Sequence, residues 1–281
     1  GTRRAFSPQA SVWAARAALA AGFDATSNVL AAIKLGRKPA GTMAHSLVMA
    51  LAATQGTEAQ AFTAFHRYFP GAPLLIDTYD AIAAAHQLAA KLQTGETQLA
   101  GVRLDSGDLV SLSQQISQLL PNVPIFASGD LDEFKIAELR AAGACINGYG
   151  LGTQLVTGSP VNGVYKLVEI DNIPVMKEST GKVTYPGRKQ IFRQYENGVA
   201  VRDRLGLMAE DALPFTPLLQ LVMQNGVLMQ PPESLNAIAQ RTAQSVASLS
   251  PTTRQIRSPA LFSVEPSADL LSLIAHTQRT P

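Results

Sequence analysis

The chain has 281 residues, 46% hydrophobic and 16% charged, with a formal net charge of +2, a globular composition long enough to bury a sizeable core. So small a charge excess argues against the clustered basic face of a nucleic-acid binder, and no run of about 18 apolar residues is available to span a membrane. Cys145 is the only cysteine, which excludes a disulfide framework or a cysteine-held zinc and fits a reducing, cytoplasmic compartment. The chain opens Gly1-Thr2-Arg3-Arg4 without an initiator Met or the apolar stretch of a signal peptide. Such a start fits a processed terminus or, as we expect, the interior of a longer protein.

Residues 8–21 form an Ala-rich helical pattern. Residues 25–36 form a second, with Thr26, Ser27 or Asn28 placed to cap it and Gly36 to end it. Pro39 and Gly41 break the chain before Thr42-Met43-Ala44-His45-Ser46, and a helix over about 46–55 is predicted next. Four short apolar runs follow, at 72–77, 99–104, 123–127 and 144–147, separated by helical patterns at 79–93, 108–120 and 132–142. Strands alternating with helices at this spacing predict βαβ units and a parallel sheet. Beyond residue 160 the pattern changes to antiparallel strands at 164–170 and 173–177 about an Asp171-Asn172 turn, and a strand at 190–195. Residues 216–247 read as helix and loop. The Ser/Thr/Pro-rich stretch from 248 onward reads as a surface extension.

Each parallel strand ends in polar or glycine residues: Asp77-Thr78-Tyr79-Asp80, Asp105-Ser106-Gly107-Asp108, Ser128-Gly129-Asp130 and Gly148-Tyr149-Gly150-Leu151-Gly152-Thr153. Ligands of parallel α/β folds sit at the carboxyl ends of strands, and glycines there let backbone N–H groups approach a phosphate. Any one of these stretches also reads as a turn or helix cap, but four together point to a phosphorylated ligand. Period-2 alternation places Arg103 and Asp105 on one strand face, as a phosphate and ribose or metal pair or as a local ion pair. For His45 three uses compete, metal ligand, general base and covalent nucleophile, and the lack of an HxH or HExxH partner argues against zinc. His66 reads as a packing residue, and His86 and His276 as surface or satisfied histidines.

The ordered set GTRRAFSPQ, GFDATSNVLAA, GTMAHSLVMA, LLIDTYD, GVRLDSGDL, ASGDLDEFKI, INGYGLGTQLVT, GVYKLVEI and TYPGRKQIFR closely resembles nicotinate phosphoribosyltransferases over about residues 1–195. The resemblance implies the type II phosphoribosyltransferase fold: α/β, an irregular (β/α) barrel with part of an accessory α+β domain. It divides the chain into a barrel core over 1–160, a β-rich accessory segment over 161–215 and a C-terminal extension over 216–281, with the family's N-terminal domain absent. It implies a ligase-type glycosyltransferase of NAD salvage, joining nicotinate to phosphoribosyl pyrophosphate (PRPP) to give nicotinate mononucleotide and pyrophosphate, coupled to ATP hydrolysis through a phosphohistidine. His45 matches the phosphorylated histidine. Arg103, Asp105 and Asp77 match strand ends lining the PRPP site. Ser128, Gly129 and Asp130, with Gly150, Gly152 and Thr153, match loops holding the ribose 5-phosphate. Arg3, with Thr2 and Arg4, matches the nicotinate pocket, where an arginine suits a carboxylate. Mg²⁺ is expected on the departing pyrophosphate rather than on protein ligands, and a homodimer is expected.

In relatives the active site is completed across a dimer by the N-terminal domain, so the resemblance implies that these 281 residues alone are impaired or inactive. Two other readings remain: a nicotinamide-specific relative, against which Arg3 and Arg4 argue, and a non-catalytic phosphate-binding barrel, against which His45, Asp105 and Asp130 argue.

Overall fold

A computed structural model describes residues 2–159 and 161–278. The described residues divide into two compact units. One holds the residues up to Leu19 with Phe23–Ser159, and the other holds Ala20–Gly22 with the residues beyond Ser159.

The first unit begins with a 3₁₀ turn (Thr2–Arg4), then α1 (Pro8–Ala20), α2 (Val29–Lys34), α3 (His45–Gln55) and α4 (Glu58–Tyr68). Of the three candidate caps, Asn28 is the one used: its side chain accepts from Ala31 N–H at 3.0 Å. The expected βαβ units follow as β1 (Leu74–Leu75), α5 (Ala81–Gln93), β2 (Val102–Leu104), α6 (Leu109–Leu119), β3 (Ile125–Ala127), α7 (Glu133–Ala141), β4 (Gly148–Tyr149) and the single-turn α8 (Thr153–Val156). The strands pair in parallel in sequence order, β1-β2-β3-β4, as a run of (β/α) units does.

Leu74, Leu75, Ile76, Val102, Leu104, Ile125 and Ala127 are buried against Phe62 and Phe65 of α4, Ala84, Ala85 and Leu88 of α5, and Ile116 of α6. Each fully buried Leu or Ile contributes roughly 1.5–3 kcal/mol, and covering by helices explains why the strands lack alternation. The fourth strand lies later than the apolar run at 144–147 suggests. Its ladder residues are Gly148 and Tyr149, opposite Phe126 and Ala127. A Cβ on Gly148 would lie 2.7 Å from the Phe126 ring, so the position opposite the ring is one that strand propensity discounts.

The second unit has three two-stranded ribbons and a four-stranded sheet. Asp171 and Asn172, at φ 47° and 64°, turn the expected hairpin, although only β5 (Glu169–Ile170) and β6 (Ile173–Pro174) pair. A second ribbon joins β7 (Glu178–Ser179) to β8 (Lys182–Val183). The main sheet has the order β11-β9-β10-β14, with β9 Lys189–Glu196, β10 Val199–Leu207, β11 Thr216–Pro217 and β14 Ser263–Pro266. Between β11 and β14 come a third ribbon, β12 (Met223–Gln224) with β13 (Val227–Leu228), and α9 (Leu235–Ala247).

The reading of residues 248 onward as a surface extension is corrected here. Strand β14 pairs in parallel with β10, and α10 (Ala268–Gln278) buries Leu270. A four-residue edge strand, Ser263-Val264-Glu265-Pro266, carries too little apolar alternation to be seen in advance. The reading of 216–247 as helix and loop holds for α9 but misses β11 to β13. The β9–β10 and β12–β13 turns are Asn197-Gly198 and Asn225-Gly226, all at positive φ, the Asn-Gly hairpin signal that the sequence reading passed over. Among the described residues no helix is long and apolar enough to cross a membrane.

Candidate active site

The carboxyl ends of β1 to β4 gather one residue set within the first unit. Six aspartates follow the first three strands, and they divide by role. Asp80, Asp108 and Asp132 are helix caps: each side chain accepts first-turn N–H bonds at the start of α5, α6 and α7. Asp77, Asp105 and Asp130 cap no helix: Asp105 and Asp130 line the cleft over these strand ends, and Asp77 is buried behind Asp105. The helix-cap reading is therefore correct for the second acid of each loop and not for the first.

Asp77, whose side chain is 5% exposed, organises the centre. Its Oδ2 accepts hydrogen bonds from Asp105 N–H (2.7 Å), Ser106 N–H (2.8 Å) and Ser106 Oγ (2.9 Å). Its Oδ1 is buried with no hydrogen-bond partner among the described residues. His45, the first residue of α3, stands over this pair. The His45 Nε2 lies 3.8 Å from Asp77 Oδ1 and 3.8 Å from Asp105 Oδ2, and its Nδ1 is 3.1 Å from Thr78 Oγ1. The other Asp105 oxygen accepts from Ser128 Oγ at 2.5 Å. Residues from three successive strand ends and one helix start thus form one connected group.

The close approach of the second and third loops depends on glycine. Gly129 has φ +87°, and a Cβ there would strike the Asp105 carbonyl, so only glycine allows Ser128 to reach Asp105. Gly150 is tight in the same direction, its notional Cβ 3.3 Å from Ser128 Cβ.

Arg103 is not tied to Asp105 by a direct bond. Its Nη1 donates to Thr42 Oγ1, in the loop before His45, and its Nε is buried and unpartnered among the described residues. Burial lowers the affinity of the guanidinium for its proton, opposed by the charges of Asp105 and Asp77. At the far end of the sheet Arg4 Nη1 donates to Thr153 Oγ1 (2.6 Å) and meets Asp130 Oδ1 (3.3 Å), which fixes the 3₁₀ turn to the β3 and β4 loops.

A cleft of about 1010 Å³ opens over these ends, lined by Thr2, Arg3, Arg4, Arg103, Asp105, Ser128, Gly129, Asp130, Gly150, Gly152 and Thr153 among others. All the expected site residues except His45 and Asp77 line it, and those two join it through Asp105. Its size is at the upper end of the roughly 300–1,000 Å³ of small-molecule sites. Three contributors went unnoticed in sequence. Thr42 and Thr78 lie inside stretches already picked out, but hydroxyls give no signal of their own. Glu58 reads as an ordinary first-turn acid of α4, yet burial, with the charges of Asp77 and Asp80, pushes its carboxyl up from 4.5 to about 7. His66 is satisfied by Ala72 O at 2.9 Å, as expected of a packing histidine.

Comparison with known proteins identifies the family. Residues 1–126 match the model of the nicotinate phosphoribosyltransferase (NAPRTase) family, and residues 210–274 match the nicotinate phosphoribosyltransferase C-terminal domain. The chain is 41% identical over 267 residues to nicotinate phosphoribosyltransferase pncB2 of Mycobacterium tuberculosis, covering 91% of this chain and 57% of that protein. It is 32% identical over 362 residues to the Homo sapiens nicotinate phosphoribosyltransferase, covering 98% of this chain and 67% of that protein. The crystal structure of human nicotinic acid phosphoribosyltransferase superposes with a TM-score of 0.74 at 29% identity, covering 98% of this chain and 69% of that one. The chain spans little more than half the length of its Mycobacterium relative. With both family models matched and the strand-end site in place, the chain belongs to the nicotinate phosphoribosyltransferase family.

Proposed function

We propose that this chain carries the phosphoribosyl and phosphohistidine site of an enzyme that joins nicotinate to PRPP at the expense of ATP, giving nicotinate mononucleotide and pyrophosphate. The observation that carries the reading is His45 set between Asp77 and Asp105 beside a cleft lined by Arg103, Ser128 and the glycines of the β3 and β4 loops.

The surroundings of His45 suit a phosphoryl acceptor. Two carboxylates flank Nε2, so they orient a proton there, while Nδ1 faces only the Thr78 hydroxyl. Nδ1 is therefore the nucleophile: it bonds to the γ-phosphorus of ATP as the bond to the β-phosphate oxygen breaks and ADP leaves. The new anion sits at the N-terminus of α3, where Ala44 supplies no side-chain cap and the helix end favours negative charge.

In the ribosyl step the bond from C1 of the ribose to pyrophosphate breaks and one to the pyridine nitrogen forms. Asp105, oriented by Ser128, is the carboxylate placed to stabilise the positive charge developing on the ribose. Arg103 offers its charge to a phosphate, and the β3 and β4 loops offer backbone N–H groups to the 5-phosphate. Arg3 and Arg4, in the 3₁₀ turn at the cleft, suit the nicotinate carboxylate. Among the described residues no three His, Cys, Asp or Glu side chains converge for a metal ion. Mg²⁺ belongs to this proposal as an ion carried in on PRPP, where it would supply positive charge to the departing pyrophosphate. A homodimer and a cytoplasmic location are part of the same proposal and rest on the family resemblance.

Incubation with labelled nicotinate, PRPP, Mg²⁺ and ATP tests the reading: these residues joined to the N-terminal domain of a relative form nicotinate mononucleotide and much less product from nicotinamide, while the 281 residues alone are slow or inactive. Equal turnover of the two would point to the nicotinamide-specific alternative, and saturable PRPP binding without any transfer to a non-catalytic phosphate-binding barrel.

A further inference from the structure

Arg3 and Arg4 are neighbours in the 3₁₀ turn Thr2–Arg4, and both line the cleft. With about 3 residues to each turn, successive side chains leave such a helix about 120° apart, so the two guanidiniums start in different directions. Arg3 is exposed. Arg4 is held: its Nη1 donates to Thr153 Oγ1 at 2.6 Å and meets Asp130 Oδ1 at 3.3 Å. Asp130 belongs to the loop after β3, and Thr153 ends the loop after β4. Arg4 therefore sits against the two loops that offer backbone N–H groups to the ribose 5-phosphate.

Those loops lack a cation of their own. A phosphate monoester carries about −1.5 to −2 charges at pH 7. Ser128-Gly129-Asp130 and Gly150-Leu151-Gly152-Thr153 bring amides and hydroxyls, no Lys or Arg, and one acid, Asp130. Left uncompensated, the Asp130 carboxylate would repel a dianion held by the same loops. The cations that line the cleft are Arg3, Arg4 and Arg103. Arg103 lies on β2 and donates to Thr42, whereas Arg4 is hydrogen-bonded to both loops. Its pair with Asp130 is loosely held, since the two side chains are 45% and 76% exposed and an exposed ion pair is weak. Both contacts use Nη1, which leaves Nε and Nη2 as a fork for two phosphate oxygens.

From this geometry, and resting on the phosphoribosyl reading of the cleft, we infer that Arg4 is a binding residue for the 5-phosphate of PRPP, and that Arg3 alone reads the nicotinate carboxylate. Arg4 offsets the charge of Asp130 and joins the β3 and β4 loops around the phosphate. The two arginines thus serve two anions in one cleft instead of sharing the single carboxylate of nicotinate.

Calorimetry on these residues joined to the N-terminal domain of a relative tests the division, with ribose 5-phosphate and nicotinate titrated separately into wild type, Arg4→Gln, Arg4→Lys and Arg3→Gln. Arg4→Gln should raise the Kd of ribose 5-phosphate about tenfold or more and leave that of nicotinate within about twofold. Arg3→Gln should do the reverse. Arg4→Lys keeps the charge without the fork and should recover part of the affinity; a lysine no better than glutamine overturns the inference, because charge is then not what Arg4 supplies. Equal weakening of both ligands in Arg4→Gln also overturns it, since a purely structural tie of the 3₁₀ turn would give that result. So does an unchanged Kd for ribose 5-phosphate, or a loss confined to nicotinate. A wild-type protein that binds nicotinate but not ribose 5-phosphate contradicts the phosphoribosyl reading itself.

Discussion

Replacing Asp77 tests the centre of the site, because its contribution can be worked from the hydrogen bonds. Three donors converge on Oδ2 at 2.7, 2.8 and 2.9 Å. A bond to a charged acceptor contributes about 1.5–3 kcal/mol, against about 0.5–1.5 kcal/mol for a neutral one. Asp77→Asn keeps an acceptor oxygen but loses the charge, so each bond weakens by about 1 kcal/mol; with Ser106 exposed, a net loss of about 2 kcal/mol is expected. Asp77→Ala strands the Asp105 N–H and both Ser106 donors. At roughly 1–3 kcal/mol for each unsatisfied group, less what water recovers at Ser106, the loss is about 3–4 kcal/mol. Urea unfolding followed by the fluorescence of Trp13, the only tryptophan and part of the same unit, measures both. Hydrogen exchange at Asp105 and Ser106 locates the effect: their amides lose protection in Asp77→Ala and largely keep it in Asp77→Asn. Equal stabilities for the two variants, or unchanged exchange at 105 and 106, would refute the bonding described here.

Other consequences are as specific. Gly129→Ala combines a left-handed backbone with a collision against the Asp105 carbonyl; it should cost about 2 kcal/mol or more and weaken PRPP binding about tenfold or more by calorimetry, because Ser128 and Asp105 no longer meet. Glu58 is raised in the fold above its ordinary value of 4.5, so the native state binds the extra proton between those limits. Stability is therefore higher at low pH and is lost as pH rises from about 4.5 to about 7; solvent screening at a half-buried group holds the change near 1 kcal/mol. Glu58→Gln should remove that fall in paired urea titrations at pH 5 and pH 8. In the second unit Asp203, buried, meets Arg193 through bonds of 2.8 and 2.9 Å. Asp203→Ala, which leaves the arginine unpaired, should cost about 3–5 kcal/mol in thermal unfolding followed by circular dichroism.

The parallel half of the fold was readable because buried strands and capped helices leave strong marks: apolar runs such as Leu74-Leu75-Ile76, and aspartates that open α5, α6 and α7. Gly148-Tyr149 escaped as a strand because its fitness depends on the Phe126 ring across the ladder, which no local pattern carries. Strand β14 escaped because it gains its pairing from β10, about sixty residues earlier. At the site, residue types and order pointed to Asp77, Arg103, Asp105 and Ser128, but not to their partners. Alternation placed Arg103 and Asp105 on one face, while the bond that Arg103 makes goes to Thr42. Glu58 gave no signal, because its perturbed carboxyl arises from tertiary neighbours and not from its place at the start of a helix.

The account stands most directly on whether His45 takes a phosphoryl group. Incubation with γ-labelled ATP, with one portion treated with acid and another hydrolysed in alkali for phosphoamino-acid analysis, should show label on His45 at Nδ1 that acid removes, and none in His45→Ala. Label that survives His45→Ala, or a wild-type protein that binds ATP and acquires none, would contradict it.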